Sequence, residues 1–199
     1  NVIVSEETGN HQGDADYLWY IDPLDGTFNF TRGTPIFCTM IGLAYKGRMA
    51  LSAIYDPMLN RLYFAKRGRG AFLNDARIHC SRQKTLENSY GCVSAQMRMK
   101  EQRRFMTRLL QQLATQPFWL SMLGSSGITA GYVTRGVRDW WARMGGGGPW
   151  DTAAGALLLQ EAGSVITTKD GRPWRTGDTS LVAANKYLHP QLLRLVRGK

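Results

Sequence analysis

The feature that most constrains this chain is the stretch at residues 19–30, W-Y-I-D-P-L-D-G-T-F-N-F. The apolar run at 18–21 ends at Asp22, which predicts a buried strand that ends at a sheet edge. Asp22 and Asp25 are close enough to repel each other unless protons or a cation lie between them, and hard oxygen ligands suit Mg²⁺. The backbone N–H groups of Gly26-Thr27 can contact an anion if a helix begins there. The same residue types are also typical of an ordinary surface turn.

Length and hydropathy limit the class of protein. The chain has 199 residues, 43% of them hydrophobic, enough for one or two domains with a sizeable core. It contains no run of 18 apolar residues, which predicts no membrane span. Residues 1–7 show neither a basic nor an apolar leader segment, so no signal peptide is visible. They also lack an initiator Met, and we expect the natural start to be missing.

Cysteine usage and net charge indicate the cellular compartment and the kinds of binding partner. Cys38, Cys80 and Cys92 are odd in number and widely spaced, which argues against a zinc site or a disulfide framework and predicts a cytoplasmic protein. The net charge of +10 is compatible with solvated faces, with attraction of phosphorylated substrates or with a nucleic-acid patch. No nucleic-acid motif supports the last interpretation.

Hydrophobic periodicity divides the chain into two parts. Residues 1–95 contain short β-prone runs with short turns, which predicts an antiparallel meander without parallel crossovers. Residues 96–199 alternate helical and strand patterns, with predicted helices at 96–115, 128–134, 151–162 and 189–197. We expect a metal-binding α+β part (1–95) and an α/β part (96–199) that together form one unit. Trp140-Trp141 is interpreted as core or interface packing, with a base-stacking platform as the alternative.

Acidic residues cluster at the ends of three predicted elements: Glu6-Glu7, Asp22 with Asp25, and Asp151. Taken alone, Asp151 is typical of a helix N-cap. Taken together, the clusters resemble the inositol monophosphatase superfamily. D-P-L-D-G-T-F-N-F at 22–30 is similar to its first signature, and W-D-T-A-A-G at 150–155 with E-A-G at 161–163 to its second. S-E-E at 5–7, G-R-G-A-F at 68–72 and G-S-S at 124–126 also match, so the resemblance covers essentially the whole chain.

This resemblance implies a fold, an activity and a metal site. The superfamily comprises Mg²⁺-dependent, lithium-sensitive phosphatases of small molecules. Their fold is a layered αβαβα sandwich (α/β, of α+β type) like that of inositol monophosphatase and fructose-1,6-bisphosphatase. The resemblance implies two or three Mg²⁺ ions, which suits a phosphomonoester with a poor leaving group. The implied metal ligands are Glu6, Asp22, the Leu24 carbonyl, Asp25 and Asp151.

The resemblance also assigns the catalytic and substrate contacts. The implied catalytic residues are Glu6, Thr27 and Asp25, with the Thr27 hydroxyl and Glu6 orienting the attacking water. The Gly26 and Thr27 amides would hold the phosphate. Asp151 would lie near the leaving group, and Ser125 and Ser126 are further candidate substrate contacts.

The sequence departs from the family pattern at two places. The family has a segment of helices and strands ahead of its G-E-E, including an acidic residue that helps to activate the water, and the present sequence lacks it. Inositol-specific members carry a glutamate seven residues before the second-signature aspartate, where this chain has Met144, beside Arg143. This difference weakens inositol monophosphate as the substrate. The segments at 124–126 and 150–155 also resemble the bisphosphate-nucleotidase branch.

These inferences predict a cytoplasmic, inositol monophosphatase-like Mg²⁺-dependent phosphomonoesterase acting on a small phosphorylated metabolite. A 3′(2′),5′-bisphosphate nucleotidase of the same superfamily is the alternative. A non-catalytic protein that binds RNA or the transcription machinery is the alternative of another class. The resemblance implies a homodimer, and no membrane partner is expected.

Overall fold

Most of the predicted periodic segments form regular elements. The computed structural model describes residues 1–7, 9–11, 16–97, 99–115 and 118–198. The strands are β1 (Val2–Ser5), β2 (Gly9–His11), β3 (Tyr17–Asp25), β4 (Cys38–Tyr45), β5 (Arg48–Asp56), β6 (Arg61–Lys66), β7 (Gly70–Leu73), β8 (Ala76–Ile78), β9 (Tyr90–Ser94), β10 (Trp119–Ser121), β11 (Trp140–Met144), β12 (Val165–Thr167) and β13 (Ser180–Ala184). The helices are α1 (Thr27–Thr31), α2 (Lys100–Leu113), α3 (Ser126–Thr134), α4 (Trp150–Glu161) and α5 (His189–Arg197). Arg98, inside the predicted helix at 96–115, lies outside the described residues.

The first sheet has eight strands in the order β2-β1-β3-β4-β5-β6-β7-β8. Its pairs from β3 to β8 are antiparallel, as predicted, but β1 and β3 run parallel, with Val2 opposite Leu18. The prediction of a meander without a parallel crossover is therefore wrong at this point. The physical reason is that β2 pairs antiparallel with the outer edge of β1, so the chain returns to the inner edge of β1 in its original direction.

The second sheet has five strands in the order β10-β9-β11-β13-β12. Strand β9 lies between β10 and β11 and runs parallel to both, whereas β13 is antiparallel to β11 and β12. One hydrophobic core contains residues from both predicted parts of the chain, including Tyr20, Met40, Trp141 and Leu157. The division at residue 95 stays a prediction.

Helices α3 and α4 lie between the two sheets. The buried residues of α4 run without interruption from Thr152 to Leu159, because this helix contacts strands of both sheets and has no solvent face. Helices α2 and α5 cover the outer face of the second sheet with a second core that includes Leu109 and Leu192. The described residues thus form four layers, sheet, helices, sheet, helices, and the layered α/β class is confirmed. The described residues do not include the further outer helical layer that the αβαβα sandwich would have.

Trp140 and Trp141 show how the second sheet is packed. Both side chains are fully buried, and because successive strand residues face opposite sides, Trp140 enters the outer core and Trp141 the central one. Trp140 Nε1 donates to Ser89 Oγ at 2.9 Å, and Trp141 Nε1 donates to Ser94 Oγ at 2.9 Å. The prediction of core packing is confirmed, and a base-stacking role is excluded by burial.

No helix within the described ranges combines the length and the apolar character that crossing a membrane requires.

Candidate active site

A β-bulge brings Asp22 and Asp25 to the same side of strand β3. Residues three apart in a regular strand face opposite sides. Here the step from Asp22 to Asp25 is matched by only two residues on β4, from Met40 to Cys38, so one extra residue is accommodated. Both aspartates are buried as a result: Asp22 is 1% exposed and Asp25 is 6% exposed. Pro23 occupies the bulge, where the ladder needs no N–H donor; the strand therefore continues beyond Ile21, where the sequence predicted its end.

Asp25 is held in place by the N-cap residue of α3 and by the first two residues of that helix. Gly127 N donates to its Oδ2 at 2.8 Å, Ser126 N donates to its Oδ1 at 3.0 Å, and Ser125 Oγ donates to Oδ2. Ser125 Oγ also accepts from Ile128 N at 3.2 Å and so caps the helix. The hydroxyl group of Ser125 therefore already contacts a predicted metal ligand, and its predicted contact with substrate stays a prediction.

Helix α1 begins directly after the two aspartates, as the sequence predicted. Its N-cap is Gly26, whose φ of +90° and whose close approach to Ile36 O leave no room for a Cβ, which would lie 2.8 Å from that oxygen. The Thr27 hydroxyl donates to the Leu24 carbonyl at 2.9 Å. The first N–H groups of α1 have no acceptor inside the helix and lie beside the carboxylates.

Asp151 lies in the first turn of α4, at the opposite wall. The N-cap of α4 is Pro149, so the interpretation of Asp151 as the cap residue is wrong by position. Its Oδ2 instead accepts from Gly148 N at 2.8 Å, which ties the preceding loop to the helix. The glycine run allows this contact: a Cβ on Gly147, where φ is +71°, would lie 2.0 Å from that same oxygen.

Arg143, on β11, contacts Asp151 and was not predicted as a site residue. Its Nη2 lies 3.1 Å from Asp151 Oδ2, and its Nη1 donates to Ser126 Oγ at 2.7 Å. The signal for it in the sequence was an arginine inside an otherwise apolar strand, directly before the glycine run. Met144, which occupies the position of the family's inositol-binding glutamate by counting, packs against the outer core instead.

Glu6 follows β1 and lies on the rim of the same site. Its N–H donates to Ile21 O at 3.3 Å, a contact made possible by the parallel pairing of β1 with β3. Partial burial raises the pKa of the Glu6 carboxyl, and the negative charge of Asp151 raises it further. Glu6 is exposed at the rim, whereas the aspartates lie deeper.

Three of the carboxylates form one compact group. Ligand atoms of Asp22, Asp25 and Asp151 all lie within 4.8 Å of one another. Burial raises the pKa of Asp22 to about 8, and the charges of Asp25, Glu6 and Asp151 add to this effect. Burial also raises the pKa of Asp151, while the Arg143 guanidinium opposes the shift. Such repulsion is relieved by protons or by a cation, and an all-oxygen donor set fits Mg²⁺ or a similar hard ion.

A cavity of about 940 Å³ joins these groups. Every site residue predicted from the sequence lines it: Glu6, Asp22, Leu24, Asp25, Gly26, Thr27, Ser125, Ser126 and Asp151. Arg143, Asn29 and the 93–97 segment also line it and were missed. Asn29 Nδ2 donates to Ile36 O at 2.7 Å and to Leu123 O at 2.8 Å, and so fixes the wall of the cavity. This geometry places oxygen donors suited to a divalent cation beside the start of α1.

Comparison with known proteins gives consistent matches. The model of the inositol monophosphatase family matches residues 1–199. The curated inositol-1-monophosphatase of Mesorhizobium japonicum is 35% identical over 198 residues, which cover 98% of this chain and 73% of that protein.

Solved structures agree with the sequence comparison. The crystal structure of the extragenic suppressor protein SuhB from Bartonella henselae has a TM-score of 0.91 at 28% identity, covering 98% of this chain and 75% of that one. A crystal structure of an IMPase/NADP phosphatase complexed with NADP and Ca²⁺ has a TM-score of 0.80 at 25% identity, over 97% and 73% of the two chains.

Proposed function

The chain belongs to the inositol monophosphatase family and is a phosphatase; on this premise we propose that it is an inositol monophosphatase-like enzyme that releases phosphate from a small phosphorylated metabolite, with Mg²⁺ as its cofactor. The observation that carries the proposal is the convergence of Asp22, Asp25 and Asp151 in one cavity beside the start of α1. The carboxylates repel a phosphate dianion, so the phosphate enters this cavity only if cations neutralise the carboxylate charges.

The residues that would hold the metal are the three aspartates, Glu6 and the Leu24 carbonyl. When bound, two or three Mg²⁺ ions would neutralise the phosphate and lower the pKa of the attacking water. Asp25 is suited to this role because three donors at the N-terminal end of α3 fix its carboxylate. Asp151 keeps one oxygen, Oδ1, outside the hydrogen bonds that the structure describes, since both Gly148 and Arg143 contact Oδ2.

The substrate and the water would be oriented by α1 and Glu6. The unpaired N–H groups at the start of α1, including those of Gly26 and Thr27, would donate to the phosphate oxygens. Because the Thr27 hydroxyl donates its own proton to Leu24 O, its oxygen is left to accept a hydrogen bond from the attacking water. Glu6 would accept the other proton of that water, as its raised pKa favours.

Phosphate release tests this proposal directly. The panel is inositol 1-phosphate, adenosine 3′,5′-bisphosphate, fructose 1,6-bisphosphate and histidinol phosphate, with and without Mg²⁺ and with added Li⁺. We expect Mg²⁺-dependent, Li⁺-inhibited turnover that is lost in Asp22→Asn and Asp151→Asn, with the fold retained. Wild-type turnover in either variant would refute the assignment of these aspartates as metal ligands.

A nucleotide is a second candidate substrate, because the cavity has an apolar rim. Phe28, Met97 and Met122 line it and are 72%, 46% and 47% exposed. A flat aromatic base can stack on such side chains, whereas a polyol ring needs hydrogen-bonding partners. Phe28→Ala should raise KM for adenosine 3′,5′-bisphosphate more than for inositol 1-phosphate if this branch is correct.

Binding of a polyanion such as RNA is the candidate of another class. A second cleft, of about 1020 Å³, lies along α2 and is lined by basic residues: Lys100, Arg103, Arg104, Arg108 and Lys169. Such a surface attracts phosphates in a salt-dependent manner. RNA retention that falls with salt, needs no Mg²⁺ and survives Asp151→Asn would support this role over catalysis.

Oligomeric state and location complete the proposal. We propose a homodimer on the family resemblance, and light scattering on the purified protein tests it. All three cysteines fall within the described residues and are unpaired, which supports a reducing compartment such as the cytoplasm.

A further inference from the structure

A smaller pocket, separate from the two described above, lies where the turn between β4 and β5 meets the segment between β12 and β13. Its volume is about 490 Å³. The Thr176 hydroxyl donates to Gly47 O at 3.0 Å and so joins the two segments. The described residues that line this pocket include three arginines, Arg48, Arg67 and Arg175, and no acidic residue. We call it the arginine pocket, because its lining carries positive charge that the lining itself does not balance.

Two of these arginines have no acidic partner in the described part of the chain. Arg48 and Arg67 belong to none of the described ion pairs. Arg67 is held by its Nε, which donates to Met49 O, and by its backbone N, which donates to Ala50 O at 3.0 Å. Its terminal nitrogens, Nη1 and Nη2, make no hydrogen bond within the described residues. A guanidinium fixed in this way presents two parallel donors, the geometry that binds phosphate oxygens in pairs.

Arg175 and Trp174 add a third charge and an unused donor. The backbone N–H of Arg175 donates to Asp178 Oδ2 at 2.7 Å, but the Arg172 guanidinium already binds both oxygens of that carboxylate. Asp178 therefore balances at most one of the two arginines. Trp174 lines the pocket and is 8% exposed, and its buried Nε1 has no acceptor among the described residues. An orphaned buried donor is the kind of group that a bound ion or water satisfies.

The arginine pocket is separate from the carboxylate cavity. The two share no described lining residue. Asp151, in the first turn of α4, lines the cavity, and Gln160, in the last turn, lines the pocket. Nine residues of helix place these two positions about 14 Å apart along the helix axis. An anion in the arginine pocket is therefore not the phosphate group that lies beside the carboxylates.

We propose that the arginine pocket is a non-catalytic binding site for a phosphate-class anion that carries two or more negative charges. Guanidinium groups match phosphate oxygens, and a volume of about 490 Å³ admits pyrophosphate or a small phosphate ester. Free phosphate ions and phosphorylated metabolites present the same oxygens, so both are sources of this ligand. The inference goes beyond the proposed function and does not depend on it.

A purely structural role for the arginines makes a different prediction. The last carbonyl groups of α4 carry partial negative charge, and arginines near them stabilise the helix without any ligand. Replacing Arg48 or Arg67 would then lower the Tm of the protein when no anion is added, and there would be no pyrophosphate binding to lose. If the pocket is a binding site, pyrophosphate raises the Tm of the wild type, and the substitutions remove this rise.

Isothermal titration calorimetry with inorganic pyrophosphate measures the site on the whole chain. Divalent cations are first removed with a chelating resin, so that the carboxylates of the catalytic cavity repel the anion. We expect binding that weakens as salt rises. Arg48→Gln and Arg67→Gln should each weaken it about three- to tenfold, and the double variant should show no binding at the same concentrations. Arg67→Lys, which keeps the charge but not the paired donors, should recover part of the affinity.

Two further titrations identify the source of the anion. Inorganic phosphate and glycerol 3-phosphate are compared under the same conditions. Equal affinities indicate a free phosphate ion, because the organic part then adds nothing, and tighter binding of the ester indicates a phosphorylated metabolite. Either result supports the site if the affinity falls in Arg48→Gln.

The matched control is Arg104→Gln, which removes the same charge from an exposed arginine of the cleft along α2. It should leave pyrophosphate affinity unchanged. The side chain of Arg48 makes no described hydrogen bond, so Arg48→Gln tests the site without disturbing the fold, and circular dichroism checks the Arg67 variants. Absence of binding in the wild type, wild-type affinity in the double variant, or an equal loss in Arg104→Gln would overturn the inference. Because these titrations use neither Mg²⁺ nor turnover, their outcome is independent of whether the proposed phosphatase activity is found.

Discussion

Replacing Asp22 by Asn is expected to stabilise the metal-free protein near pH 8 while it abolishes phosphate release. The amide is nearly isosteric with the carboxylate, and its oxygen can keep the hydrogen bond from Leu24 N, which is 3.1 Å long. The substitution removes one of the negative charges that face each other across the cavity. Its new N–H₂ group can donate to the carboxylates that remain.

The magnitude follows from the pKa of Asp22, which burial and its acidic neighbours raise from 3.8 to about 8. The folded protein binds the proton of the Asp22 carboxyl more tightly than the unfolded chain does. The stability that this protonated carboxyl contributes is therefore fully present below about pH 4 and is lost as pH rises through 8. The shift corresponds to at most about 5 kcal/mol at pH 8. Since neighbouring carboxylates share the repulsion, we expect a gain of about 1–3 kcal/mol, or roughly 2–10 °C in Tm.

Thermal unfolding in EDTA, at about pH 8 and at about pH 5, measures this gain. The advantage of Asp22→Asn should be about threefold larger at the higher pH than at the lower one, where Asp22 of the folded protein is still protonated. Mg²⁺ should raise the Tm of the wild type at pH 8 and have little effect on the variant. Asp170→Asn is the control, because Asp170 lies outside the cavity in an exposed ion pair with Lys169, and its replacement should change Tm by little.

An Asp22→Asn variant that is less stable than the wild type in EDTA at pH 8 would refute the reasoning. So would an advantage that is equal at both pH values, because the effect would then not come from ionisation of this carboxyl.

Three further substitutions test the framework around the site. Gly26→Ala should destabilise the protein by about 2–4 kcal/mol and reduce activity, because the residue has a positive φ and its new Cβ would clash with the backbone. Gly177→Ala is the control in denaturant unfolding: with φ +100° and no neighbour within 4 Å, it measures the effect of φ alone. Ser125→Ala should cost about 2–4 kcal/mol, from the lost helix cap and the bond to a buried carboxylate, and equal stability by the same assay would refute this. Gly91→Ala should cost about 3 kcal/mol or more, because its Cβ would lie 2.0 Å from the Trp140 ring; a soluble variant with wild-type Tm would contradict this.

Much of the site was predictable because its residues are adjacent in sequence. Asp22, Asp25, Gly26 and Thr27 fall within six positions, and local turn chemistry alone brings them near one another. Asp151 was assigned through the second signature, since no local pattern relates it to Asp22. The pattern at 151–162 also predicted a helix, which α4 confirms, and the two flanking sheets explain its apolar character.

Other features depended on pairing between distant segments. The parallel registration of β1 with β3 places Glu6 beside the aspartates, yet the sequence predicted an antiparallel meander without parallel crossovers. The bulge at Asp22 to Asp25 exists because β4 has one residue fewer, which only the pairing of the two strands reveals. Arg143 appeared in the sequence as a charged residue in an apolar strand without an assigned partner.

The sequence by itself determined which carboxylates, glycines and helix starts are available for metal and phosphate chemistry, because those properties belong to residue types and short spacings. The tertiary structure alone decided the orientation of Asp25, whose carboxylate is fixed by donors about a hundred residues away. It alone also decided that Arg143 lies against Asp151. The reason is that charge interactions act over a few ångströms in space, and the sheets and helices, rather than the order of the chain, set which charges meet.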